Sequence, residues 1–187
     1  MIISLTGFMG CGKSSVGRRL SELLCCPFMD LDEVIVERAG RSIPEIFAEE
    51  GEKAFRKMEL EALQYVIENS LPEYSRGPLV LALGGGTVMT EECAEIVRSE
   101  TRCIYLRASV ETLIGNLEGQ TANRPLLNLQ NCHFERAKRV EKSMALKSHI
   151  ESLMVKRSTT YEKTAHVVID TDGKSIEAIA SEIISNL

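Results

Sequence analysis

The chain has 187 residues, of which 44% are apolar and 26% charged, enough for one domain with a real core and unlike a disordered or fibrous protein. Its formal net charge of −5 is spread along the chain without a basic or acidic tail, which argues against nucleic acid or a membrane surface as a partner. No stretch approaches the roughly 20 apolar residues that cross a bilayer.

The first apolar run, Ile2–Leu5, reads as a strand, and the residues before it carry neither the basic flank nor the cleavage site of a signal peptide. It leads into Gly7-Phe-Met-Gly10-Cys11-Gly12-Lys13-Ser14-Ser15, a G-x-x-x-x-G-K-[ST] phosphate loop between a strand and a helix. The glycines let successive backbone N–H groups turn toward phosphate oxygens, and the helix start adds its dipole. Lys13 is placed to reach the outer phosphates and the Ser14 hydroxyl to bind Mg²⁺. Val16, Leu20, Leu23 and Leu24 then mark one face of the first helix.

A second strand, Pro27–Met29, runs into Phe28-Met-Asp30-Leu-Asp32. At the carboxyl end of a parallel strand these carboxylates lie where ligands collect. On an extended segment, side chains two apart point the same way. One aspartate could hold a magnesium water and the other a substrate hydroxyl; equally, one could cap a helix beginning near Leu31. Ser42-Ile-Pro-Glu45 is a capping box that starts a short helix. Arg56 follows within a helical stretch and has Glu52 and Glu59 at ion-pair spacing.

A third strand, Leu79–Leu83, ends in Gly84-Gly85-Gly86 rather than in an acidic residue. Three glycines there suit either a turn or a ligand packed directly on backbone. Cys103–Leu106 and Val167–Ile169 complete five strand runs, and Ile176, Ile179, Ala180, Ile183, Ile184 and Leu187 share a final helix face. The strand runs are almost continuously apolar and alternate with helices. That pattern predicts a three-layer α/β/α sandwich around a parallel sheet, one domain over residues 1–187. Gly115–Asn123 is small, polar and without pattern, and Asn128–Cys132 is a polar break, so both read as flexible. Arg124 on that flap suits neutralising a transferring phosphoryl group. Arg157 is ambiguous alone. The six cysteines, at 11, 25, 26, 93, 103 and 132, show no C-x-x-C spacing, consistent with a reduced, cytoplasmic setting.

Taken in order, the phosphate loop, F-x-D-x-D, Gly40, Ile43, Phe47, G-E-x-x-F-R-x-x-E (Gly51 to Glu59), G-G-G, R-P-L-L (Arg124 to Leu127) and R-x-x-x-Y-x-x-x-A (Arg157 to Ala165) resemble the shikimate kinase family. The resemblance implies a P-loop kinase fold, like the nucleoside monophosphate kinases, with sheet order 2-3-1-4-5. It also implies substrate helices over about 31–60 and a lid over about 113–130. It implies ATP as co-substrate with Mg²⁺, and nucleotide binding by Gly10, Cys11, Gly12, Lys13, Ser14, Ser15 and Arg124. Asp30 would support the ion through water, with Ser14 as its direct ligand. Asp32 would orient or deprotonate the attacking hydroxyl, Arg56 and Arg157 would clamp the shikimate carboxylate, and Gly84, Gly85 and Gly86 would line the floor. Lys13, Asp32 and Arg124 would be the catalytic set, in a monomer.

Two positions depart from the family pattern. Leu117 stands where many members carry an arginine over the adenine, which leaves Thr171–Lys174 as a weak candidate for adenine contact. The segment 128–147 is longer than usual and rich in charge, and reads as a solvated extension of the lid helix. Rival readings are a gluconate kinase and a non-catalytic ATP-binding switch.

Overall fold

The computed structural model describes residues 1–70, 77–117 and 138–187, and for 138–146 the backbone alone. Five strands, β1 (Ile2–Thr6), β2 (Phe28–Asp30), β3 (Leu79–Ala82), β4 (Thr101–Arg107) and β5 (Val167–Asp170), form one sheet in the order β2-β3-β1-β4-β5. Every ladder is parallel, so all five carboxyl ends meet at one edge. The order is the one that the family resemblance implies. β1 is buried at every residue and β3 likewise, which is why both read as unbroken apolar runs. The edge strands β2 and β5 are only partly covered.

The helices are α1 (Lys13–Leu23), α2 (Leu31–Ala39), α3 (Ile43–Glu49), α4 (Gly51–Asn69), α5 (Glu91–Glu100), α6 (Val110–Leu117), α7 (Lys138–Thr164) and α8 (Ile176–Ile184). α1 packs on α8, while α5 packs against α4 and α7, giving the two outer layers. The core joins Ile3 and Leu5 of β1 with Leu20, Leu81, Ile104, Leu106 and Ile183, all with negligible exposure. Each such side chain contributes about 1.5–3 kcal/mol by leaving water.

Local signals behave as read at Ser42, which accepts from the backbone N–H of Glu45 while Glu45 reaches back to the Ser42 N–H, with Pro44 in the first turn. Elsewhere the helix faces are narrower than their apolar spacing suggests. Leu23 is exposed on α1, as are Ile184 and Leu187 at the chain end. The flap reading of Gly115 needs correction: Gly115, Asn116 and Leu117 form the last turn of α6. Leu113 and Leu117, four apart and both fully buried, hold that turn down despite its polar composition. The extended segment also divides differently, because residues 138–147 begin the 27-residue helix α7. Residues 128–137, with Arg124 and the rest of the expected lid after Leu117, lie outside the described residues.

Candidate active site

At the carboxyl edge of the sheet, the loop after β1 and the start of α1 form a phosphate cradle. Gly12 is the N-cap of α1 with φ 93°, a left-handed conformation that favours glycine, and it offers no capping side chain. The first N–H groups of α1 therefore have no partner within the helix and face the cleft with the positive end of the dipole. The Lys13 ammonium donates to the carbonyls of Gly7 at 2.9 Å and Phe8 at 3.1 Å, so it bridges the mouth of the loop. Gly10 is braced from behind: the Leu117 side chain packs where a Cβ on Gly10 would fall, and Asn116 Nδ2 donates to the Gly10 carbonyl at 2.9 Å. Leu117 is thus a packing residue under the loop.

Asp30 ends β2 and caps α2. Its Oδ1 accepts from the Asp32 N–H at 3.1 Å, and its Oδ2 accepts from the Ser14 hydroxyl at 2.6 Å. The capping and site readings of Asp30 are therefore both realised, by different oxygens. Asp32 is not on the extended segment, as the sequence suggested, but in the first turn of α2. It reaches the cleft because α2 begins at the sheet edge. There its Oδ1 lies 3.0 Å from the place of a Cβ on Gly84.

Arg56 is held on α4. Its guanidinium donates to Glu59 Oε2 at 2.8 Å and to Glu52 Oε1 at 3.1 Å. The ion pairs anticipated from spacing are present, and the same side chain also lines the cleft; pairing and facing a ligand coexist. Glu59 is only 1% exposed, and its other oxygen accepts from the buried Thr87 hydroxyl at 2.6 Å. Burial works against the Arg56 charge, but the Glu59 carboxylate and then Glu52 outweigh it, so the guanidinium sits above its ordinary range.

The triple glycine has a more specific reason than a bare floor. A Cβ on Gly84 would lie 2.9 Å from Thr87 Oγ1 and 3.0 Å from both Asp32 Oδ1 and Glu59 Oε1. One on Gly86 would lie 2.8 Å from both terminal nitrogens of Arg56, and one on Gly85 would lie 3.1 Å from the Met9 backbone nitrogen. The missing side chains make room for the site's own groups, and the three residues still line the cleft.

Arg157 and Tyr161, one turn apart on α7, converge behind this floor. Tyr161 donates to the Gly85 carbonyl at 2.5 Å and Arg157 Nη1 to the same oxygen at 3.3 Å. The Arg157 guanidinium also lies over Phe8 at 5.8 Å. The structure ties Arg157 to the Gly85 carbonyl of the glycine turn, whereas Lys13, Asp30, Asp32 and Arg56 line one cleft of about 970 Å³. Burial pushes the Tyr161 hydroxyl above its ordinary range and Arg157 works against that, so Tyr161 remains a donor.

The far end of the cleft is lined by Thr112 and Asn116 of α6, by Thr171, Gly173 and Lys174 after β5, and by Ile176 and Ile179 of α8. This places the Thr171–Lys174 loop beside the cradle, and Ile176 is exposed because it faces the opening. Glu59, Thr87 and Asn116 went unrecognised as site residues in the sequence. Glu59 stood there as a possible helical partner of Arg56 and as the end of the G-E-x-x-F-R-x-x-E motif, without a role of its own.

A profile of the family described as shikimate kinase matches residues 9–187. The chain is 38% identical over 185 residues to a shikimate kinase of Thermus thermophilus, covering 99% of this chain and 89% of that protein. It is 35% identical over 185 residues to that of Enterococcus faecalis, with 99% and 97% covered. Among solved structures, shikimate kinase from Acinetobacter baumannii in complex with shikimate superposes with a TM-score of 0.83 at 31% identity, over 99% of this chain and 91% of that one. Shikimate kinase from Aquifex aeolicus gives 0.72 at 29% identity, over 100% and 95%. The chain belongs to the shikimate kinase family.

Proposed function

We propose that this chain transfers the γ-phosphoryl group of ATP to the 3-hydroxyl of shikimate, a step in the biosynthesis of chorismate and the aromatic amino acids. The observation that carries this reading is a single cleft in which a phosphate cradle faces a carboxylate, Asp32, and a buried-paired cation, Arg56. Phosphoryl transfer asks the protein for alignment and charge stabilisation rather than covalent chemistry. Arg56 would bind the acid's carboxylate in a charge-assisted hydrogen bond, with Arg157 as second anchor after leaving the Gly85 carbonyl. Gly84, Gly85 and Gly86 would form the floor.

Asp32 would accept a hydrogen bond from the ring hydroxyl and aim its oxygen at the γ-phosphorus. As that O–P bond forms, the bond from phosphorus to the bridging oxygen breaks, ADP leaves with the electron pair, and the hydroxyl proton passes toward Asp32. Lys13 and the N–H groups of Gly10, Gly12, Ser14 and Ser15 would hold the phosphates, with Cys11, whose N–H donates to the Phe8 carbonyl at 3.2 Å, shaping the loop around them, and with Arg124 joining from the lid.

The Ser14 hydroxyl and Asp30 carboxylate fit a magnesium site. Both are hard oxygen donors 2.6 Å apart, and among the described residues no group of three or more His, Cys, Asp or Glu forms a protein cage. That sparse donor set suits an ion that keeps waters and phosphate oxygens. When bound, Mg²⁺ neutralises charge on the phosphate oxygens.

A coupled assay of ADP release with shikimate, gluconate and other hydroxy acids tests the reading. Shikimate should stimulate ADP release far above the other acids, and Asp32→Asn should lower kcat by about 10²-fold or more. Preference for gluconate would move the chain to the sugar-acid kinases. Nucleotide binding without stimulated turnover would leave a switch.

A further inference from the structure

The acid-binding half of the cleft rests on a buried chain of polar groups that begins outside it. Thr87 opens a 3-10 turn, Thr87–Met89, just after the triple glycine. Its hydroxyl, fully buried, donates to Glu59 Oε1 at 2.6 Å, and Glu59 Oε2 accepts from Arg56 Nη1 at 2.8 Å. Glu52, the other acceptor of Arg56, has a side chain 60% exposed, so its hold is loosened by water and rotamer freedom. Glu59, at 1% exposure, is the rigid partner. A carboxylate with one partner can still turn about its terminal bond. With a donor fixed on the second oxygen it has a set plane, and a fork-shaped guanidinium follows that plane.

Backbone geometry fixes the donor. The Thr87 N–H donates to the Gly84 carbonyl at 3.2 Å and the Met89 N–H to that of Gly86 at 3.0 Å, so the turn sits directly on the glycines. Gly84 has no Cβ, and that absence lets Thr87 Oγ1 and Glu59 Oε1 close to hydrogen-bond distance over it.

We propose that Thr87 is a positioning residue for the acid substrate: by donating to Glu59 it sets the orientation in which the Arg56 guanidinium receives the substrate carboxylate. The inference rests on the reading of Arg56 as the carboxylate anchor. Thr87 does not itself line the cleft; it acts through Glu59.

Thr87→Val keeps the branched shape and removes the donor, leaving a buried carboxylate oxygen without its partner. Initial rates with shikimate and ATP varied separately should show the shikimate KM raised about tenfold or more, as fits loss of a hydrogen bond to a charged group. The ATP KM should stay within about twofold, since no step of the relay touches the cradle. Thr87→Ser keeps the hydroxyl and should return the shikimate KM to within about threefold of the parent, with Thr87→Cys, a weaker donor, between the two. If the valine variant does not fold, the serine–cysteine comparison carries the test. Equal rises in both KM values, an unmoved shikimate KM, or a serine variant as impaired as cysteine or valine would each overturn the proposal. Arg56→Lys, measured in parallel, separates the two readings. If it raises the shikimate KM and the Thr87 variants do not, the relay alone is wrong. If it has no effect, the anchor reading fails and the relay with it.

Discussion

Gly85 and Gly86 are neighbours, yet a methyl group at each would press on a different half of the cleft. At Gly86 it would meet the terminal nitrogens of Arg56 at 2.8 Å, the far end of a side chain that can shift. At Gly85 it would meet the backbone of Met9 in the phosphate loop, which cannot move without carrying the loop along. Gly86→Ala should therefore raise the KM for the acid about tenfold with little change for ATP, whereas Gly85→Ala should raise the KM for ATP as well. Separate saturation curves for the two substrates check this, and identical profiles for both variants would refute it. Single residues also show where reading the chain stops. The need for glycine at Gly12 follows from its left-handed backbone and was visible in the motif. The need at Gly84 and Gly86 comes from Asp32, Glu59 and Arg56, far off in the chain, so only a fold reveals it.

Between elements, the informative junction is α6 against the phosphate loop. Asn116 and Leu117 end the helix and both contact Gly10, one by a hydrogen bond and one by packing. Asn116→Ala removes the hydrogen bond and leaves the buried leucine in place. The KM for ATP should rise about three- to tenfold while the KM for the acid holds, because a net hydrogen bond is worth about 1 kcal/mol; matched initial-rate series check it. This junction was illegible in the sequence because Gly115 and Asn116 have the composition of a loop, and only the Leu113–Leu117 spacing hinted at a helix. Asp32 shows the complementary error. It lines the cleft, but the alternation from which it was read does not apply, since the chain turns helical at Leu31. The capping box at Ser42 and the strand order were read correctly, the first from local hydrogen-bond chemistry and the second from the family's motif order.

Across the molecule, the buried thiols tie stability to alkaline pH. Burial raises Cys103 from 9.0 to about 11, with the Ser4 hydrogen bond working against it. Burial likewise raises Cys93 to about 12. A thiol whose folded value lies above its unfolded value contributes fully below pH 9 and loses that contribution as pH climbs toward the folded value. The melting temperature should be flat near pH 8 and fall between pH 9 and 11. Cys103→Ala should shallow that fall by about 1.4 kcal/mol per pH unit over the same window, read from melts at pH 8 and 10.5; parallel slopes in parent and variant would contradict it. No helix among the described residues is long and apolar enough to cross a membrane.

Asp30 carries one more consequence. Its Oδ1 is engaged by the backbone of α2 and only Oδ2 is turned to Ser14. A divalent ion in the proposed site would meet, directly or through a water, a single carboxylate oxygen whose rotation is stopped. Calcium favours chelation by both carboxylate oxygens and a crowded, flexible shell, while magnesium accepts single oxygens in a strict octahedron. In the magnesium site proposed above, a helix cap would thereby act as a filter for ionic radius.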